Sequence, residues 1–128
     1  MKYTYKTEVR GYELDSYGHV NNAVYLSYTE QARWEILRNA ELLKSFLNKN
    51  LLLVVTETNI RYMRELELFD EIEIVTSIKI EAPYLVFNHD ILNLTDSSKA
   101  AKAEVKTLLI DKDRIPQDIP EELLSLIK

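Results

Sequence analysis

One segment of this chain repeats its apolar residues at helical spacing, and nearly everything after it alternates at strand spacing. That order limits the fold more than any other feature. Between residues 22 and 40, Tyr25, Tyr28, Ala32, Ile36 and Ala40 recur every three or four positions, the stripe of an amphipathic helix. Val24, Trp34 and Leu37 widen the stripe, so the helix is expected to be buried on more than one side, with Asn22 as its N-cap. From 71 to 80, Ile72, Ile74, Thr76, Ile78 and Ile80 fall on one face and Glu71, Glu73, Ser77 and Lys79 on the other. That two-residue period is the mark of an antiparallel strand covered on one side. Runs rich in β-formers over 2–10, 51–64, 84–94 and 100–110 read as further strands, with short helices over 42–47 and 121–127. One long helix and about five strands, in that order, predict an α+β fold: an antiparallel sheet of about five strands wrapped around a long central helix. The strands carry enough Ile, Val and Leu to expect a partner subunit on the sheet's outer face.

Composition narrows the function. The chain has 128 residues, two glycines and three prolines, enough for one domain over 1–128 built from long elements with few turns. A net charge of −5 argues against a nucleic-acid partner, which needs a basic surface. The absence of cysteine rules out a thiolate nucleophile, a disulfide framework and cysteine-ligated zinc. The longest apolar run, 51–55, is far too short to span a bilayer, and residues 1–6 do not resemble a signal sequence. The expected setting is the cytoplasm, with no membrane partner.

The informative stretch lies ahead of the helix. Residues 11–22 form a polar loop of about a dozen residues, a length that in a compact domain is usually functional. It places Asp15, Gly18, His19, Asn21 and Asn22 just before a helix N-terminus, whose unpaired N–H groups and dipole stabilise negative charge. A thioester oxyanion is such a charge, and a carboxylate a few residues upstream can attack a carbonyl or activate water. The parts of an acyl-transfer site are therefore adjacent without metal or cysteine. The same residues also serve as ordinary turn and cap residues, so spacing alone leaves both readings open.

The run Asp15-Ser16-Tyr17-Gly18-His19-Val20-Asn21-Asn22, then Tyr25, then Glu30-Gln31-Ala32-Arg33-Trp34, resembles the signature of the 4-hydroxybenzoyl-CoA thioesterase family. Val9-Arg10-Gly11-Tyr12 ahead of it is most similar to the family's bacterial long-chain acyl-CoA branch. The Asn59-Ile60-Arg61-Tyr62 segment through Asp70 fits the family's second strand, so the resemblance covers nearly the whole chain. It implies a hotdog fold and hydrolysis of an acyl-CoA to free acid and CoA.

Residue by residue, the resemblance places the catalytic carboxylate on Asp15, as nucleophile or as base for water. The oxyanion donor falls on the backbone N–H of Asn22. Glu13 stands where many relatives carry a second Asp. His19 is expected to hold Asp15 or the substrate by hydrogen bonding, and His89 reads as a strand-face histidine. Glu30 is the rival carboxylate of a second hotdog branch, although a pair with Arg33, or a contact across a subunit boundary, is the better reading for it. Arg61 and Arg64 are the expected partners of CoA phosphate. Tyr25, with Tyr28, Val54 and Tyr62, is expected to line the acyl path. No metal or cofactor is implied, CoA being part of the substrate, and the site is expected at the subunit interface of a homodimer or homotetramer. The alternatives are an acyl-ACP thioesterase on the same parts and a non-catalytic acyl-binding hotdog protein. A hotdog hydratase fits poorly, because its Asp and His have four residues between them and Asp15 and His19 have three.

Overall fold

The computed structural model describes residues 1–127. The chain runs β1 (Lys2–Glu8), a 3-10 turn (Gly11–Glu13), α1 (Asn22–Asn39), α2 (Leu43–Asn48), β2 (Leu52–Tyr62), β3 (Glu71–Glu81), β4 (Tyr84–Asn93), β5 (Ser98–Ile110) and α3 (Glu121–Leu124). The strands form one sheet in the order β1-β3-β4-β5-β2, and every pair is antiparallel. This is the α+β arrangement that the element order predicts.

Alternation decides which face carries the core. Ile72, Ile74, Thr76 and Ile78 of β3 are buried, as are Leu85, Phe87, His89 and Ile91 of β4 and Ala101, Ala103, Val105, Thr107 and Leu109 of β5. α1 lays Tyr25, Tyr28, Thr29, Ala32, Ile36 and Leu37 against this surface. Toward the helix N-terminus the core gathers Val9, Val20, Tyr25, Tyr28, Leu66 and Ile74. Toward its C-terminus it gathers Ile36, Phe46, Phe87, Val105 and Leu109. Full burial of side chains of this size is worth about 1.5–3 kcal/mol each, so the helix is held chiefly by packing rather than by intrinsic propensity.

Four expectations need correction. The N-cap of α1 is Asn21, not Asn22: Asn21 is non-helical at φ −59° and ψ 136°, and its Oδ1 accepts from the Ala23 N–H at 2.9 Å. Asn22 is already the first helical residue. The outer face of the sheet is charged rather than apolar, with Lys79–Glu104, Lys99–Asp90 and Lys106–Glu57 pairs, because the Ile, Val and Leu of β3–β5 mostly turn inward. The helix is covered on one side only, and Trp34 is 49 % exposed. The last helix is also shorter than its pattern, ending at Leu124.

The strand order leaves β2 at one edge, with Leu52, Val55 and Tyr62 exposed. A bulge between Val55 and Glu57 shifts its register against β5. As a result Tyr62, opposite Ala101, turns toward α1. Arg61, opposite the exposed Lys102, turns away from it.

Candidate active site

The loop before α1 is a closed structure. The Asp15 N–H bonds the His19 carbonyl at 2.9 Å, and the Gly18 N–H bonds the Asp15 carbonyl at 3.1 Å. Gly18 makes this turn possible, since it sits at φ +82°, where a side chain would be strained. On either side, Leu14 bridges Val20 and His19 bridges Glu67. Asp15 is partly exposed. Its Oδ1 accepts from the Tyr17 N–H at 2.8 Å, which fixes the carboxylate and leaves its second oxygen available for chemistry. His19 is tied to Asp15 through its main chain; among the described residues its imidazole makes no hydrogen bond to the carboxylate.

The helix N-terminus opens beside this loop. With Asn21 as cap, the Ala23 N–H goes to its side chain and the Val24 N–H to its carbonyl at 2.9 Å. The Asn22 N–H has no acceptor among the described residues, so one end of the helix dipole presents an unused donor. Across from it, the Tyr62 hydroxyl donates to the Asn22 carbonyl at 2.9 Å. The Tyr25 ring meets Tyr62 edge-on, with centroids 5.0 Å apart. Tyr25 is buried, and its hydroxyl lies 3.4 Å from the Arg64 carbonyl. Burial raises its pKa, with smaller contributions from Glu65, Tyr62 and Asp15 in the same direction. The Tyr25 phenol is therefore a neutral neighbour of the Asp15 charge.

The site is underpinned by a residue whose role spacing did not reveal. Glu13 is 5 % exposed, and its carboxylate accepts four hydrogen bonds. Oε1 takes the Arg10 N–H at 2.9 Å and the Tyr28 hydroxyl at 2.7 Å; Oε2 takes Arg10 Nε at 3.0 Å and Nη2 at 2.7 Å. Its carbonyl also accepts from the Asn21 N–H at 2.9 Å. Glu13 thus ties the start of the loop to the helix cap and to the middle of α1, with Asp15 between those ties. The Arg-x-x-Glu spacing from 10 to 13 is the one sequence signal of the clamp.

The other expected residues are spread out. Glu30 is exposed on α1 and accepts from Trp34 Nε1 at 3.4 Å; among the described residues it makes no ion pair with Arg33. Arg33 instead points to His89. Arg61 lies on the sheet face away from α1, beside Lys102. Arg64 follows β2 near Tyr25, and its N–H bonds the Ala100 carbonyl at 3.1 Å.

Residues 9–127 match the thioesterase-like superfamily. The chain belongs to it. It is 42 % identical over 72 residues to the long-chain acyl-CoA thioesterase FadM of Escherichia coli strain K12, a match covering 56 % of this chain and 54 % of FadM. It is 28 % identical over 120 residues to the chloroplastic acyl-acyl carrier protein thioesterase ATL3 of Arabidopsis thaliana, covering 92 % of this chain and 63 % of ATL3. The chain thus spans between half and two thirds of these curated relatives. The crystal structure of YbaW, a probable thioesterase from Escherichia coli, superposes with a TM-score of 0.88 at 30 % identity, over 98 % of this chain and 99 % of YbaW. A five-stranded antiparallel sheet around a central helix, in a member of this superfamily, is the hotdog fold that the motif implied.

Proposed function

We propose that this thioesterase-like protein hydrolyses acyl-CoA thioesters, with water entering and free acid and CoA leaving, and that Asp15 is the catalytic carboxylate. The observation that carries the reading is the pairing of a half-engaged carboxylate with an unused N–H at the start of α1. Asp15 attacks the thioester carbonyl or takes the proton of an attacking water. The Asn22 N–H and the helix dipole stabilise the oxyanion as it develops, and CoA departs as thiol once it gains a proton. The acyl group passes the aromatic pair of Tyr25 and Tyr62. Turnover across a chain-length panel of acyl-CoAs tests the proposal, and the absence of cleavage with every member would overturn it.

A second reading, hydrolysis of acyl-carrier protein thioesters, is favoured by the 92 % coverage of this chain in its match to ATL3. Carrier proteins are acidic, and a chain of net charge −5 offers them little attraction. The same acyl group presented on CoA and on carrier protein separates the two, the CoA ester being turned over faster.

Of the two candidates for CoA phosphate we favour Arg64, whose main-chain carbonyl adjoins the Tyr25 hydroxyl, whereas Arg61 faces the side of the sheet away from α1. Arg64→Ala is expected to raise KM about tenfold with kcat within about twofold, the pattern of lost ground-state binding; the reverse pattern would place Arg64 in the chemistry. The open β2 edge, an unpaired row of backbone groups, is the surface we assign to a second copy, which would bring the partner's sheet to the Asp15 loop.

A further inference from the structure

The last residue of β2 reaches back to the first residue of α1. β2 ends at Tyr62, opposite Ala101. The next two N–H groups, of Met63 and Arg64, both bond the Ala100 carbonyl, at 2.8 and 3.1 Å. The strand end is therefore fastened to β5. The bulge between Val55 and Glu57 decides the side on which Tyr62 emerges. Side chains alternate along a strand, so a ladder without that extra residue would turn Tyr62 to the other face.

Tyr62 meets the first turn of α1 at two points. Its hydroxyl donates to the Asn22 carbonyl at 2.9 Å, and its ring lies edge-on to Tyr25. Residues 22 and 25 stand one turn apart on the same helix face. Among the described residues no other hydrogen bond joins Asn22 to the sheet. The cap bonds from the Ala23 and Val24 N–H groups go to Asn21, inside the helix start itself, and the Asn21 N–H goes to the Glu13 carbonyl. The start of α1 is thus held from the loop by Glu13 and from the sheet by Tyr62. An oxyanion donor is effective when it is fixed in advance, because turning it during the reaction takes free energy. A misplacement of about 1 Å costs roughly a hundredfold in rate.

We propose that Tyr62 is a positioning residue of this site: its hydroxyl, by holding the Asn22 carbonyl, fixes the direction of the Asn22 N–H that receives the oxyanion. The inference rests on the acyl-CoA reading above and adds to it a group outside the loop, 40 positions along the chain from Asn22.

Tyr62→Phe removes this one bond and keeps the ring against Tyr25. It is expected to lower kcat for acyl-CoA hydrolysis about tenfold, with KM within about twofold. The acid limb of the pH profile is expected to stay in place, since Asp15 keeps its bond from the Tyr17 N–H. Amide hydrogen exchange reads the same loosening without turnover. Ala23 and Val24 are expected to exchange about tenfold faster in the variant, and Ala32 in the middle of α1 at its former rate. Faster exchange with kcat unaltered would make Tyr62 a structural tie only and overturn the inference. A raised KM with kcat unaltered would make the hydroxyl a substrate contact, and a displaced acid limb would move its effect to Asp15; either overturns it too. Unchanged exchange at Ala23 and Val24 overturns it whatever the activity. Absence of cleavage by the unaltered protein sinks the acyl-CoA reading and this inference with it, whereas cleavage that Tyr62→Phe leaves untouched sinks this inference alone.

Discussion

Asp15→Asn is expected to lower kcat/KM for acyl-CoA hydrolysis by about a thousandfold, within the 10²–10⁴ range that a positioned acid or base supplies, and to leave thermal stability nearly unchanged. The two halves of this expectation have separate causes. The amide keeps an oxygen to accept the Tyr17 N–H that Asp15 Oδ1 holds at 2.8 Å, and the loop's main-chain bonds from Asp15 to His19 and from Gly18 to Asp15 do not involve the side chain. The loop therefore stays closed. What disappears is the negative charge and the basic lone pair, without which neither direct attack nor proton removal from water proceeds at a useful rate. The Asn22 N–H survives the substitution, so a residual rate above background is expected from oxyanion stabilisation alone. Glu30→Gln is the control, because Glu30 is exposed and bonded only weakly to Trp34; it is expected to retain most activity. Abolition by Glu30→Gln with Asp15→Asn unimpaired would move the chemistry to the helix carboxylate and overturn the proposed mechanism.

The parts of this site that could be read in advance are those carried by short-range pattern. Alternation from Glu71 to Ile80 placed β3 and its buried face, because a strand's two-residue period is written in consecutive side chains. The loop from Asp15 to Asn22 pointed to a candidate site through its resemblance to a family motif, since its spacing alone left turn and cap roles equally open. Spacing stopped being informative where one residue or a long separation decides the outcome. Asn21 and Asn22 are equally good caps by type, and only the backbone angle at Asn21 separates them. Arg33 meets His89 across 56 positions and Tyr28 meets Glu13 across 15, and no periodicity encodes such encounters. Glu30 and Arg33 have the i, i+3 spacing of a helix pair, yet the burial of Arg33 toward His89 draws the guanidinium away from the exposed carboxylate. The charged outer face was misjudged because the strand residues that make the sequence look apolar are mostly the inward set.

Glu13 is where the largest loss of stability is expected. Glu13→Ala strands the Tyr28 hydroxyl, which is 2 % exposed, and the Arg10 N–H, both bonded to Oε1. The Arg10 guanidinium, whose side chain is 47 % exposed, can turn back to water, so its lost pair counts for little. Two charge-assisted bonds at about 1.5 kcal/mol each give a cost of about 3 kcal/mol, or a fall of about 10 °C in Tm for a chain of this size. Glu13→Gln keeps an acceptor for Tyr28 and is expected to lose less, and it isolates the charge. Burial works to raise the Glu13 pKa, but hydrogen bonds from Arg10 and Tyr28, helped by the Arg10 charge, outweigh it and hold the carboxyl below its ordinary value. On acidification the unfolded chain then takes up this proton before the folded one does. The stabilisation is whole above the usual carboxylate range and is lost as pH falls through the depressed folded value. Glu13→Gln has no such proton to gain, so the stability gap between it and the unaltered protein should be widest near neutrality and close in acid. Chemical denaturation of both across that range measures the gap, and one that stays constant with pH would show that Glu13 holds the loop by shape rather than by charge. Because Asp15 lies between the ties that Glu13 makes to Arg10 and to the Asn21 N–H, the same substitution should lower kcat more than it raises KM, as expected of a group that positions the carboxylate without touching substrate.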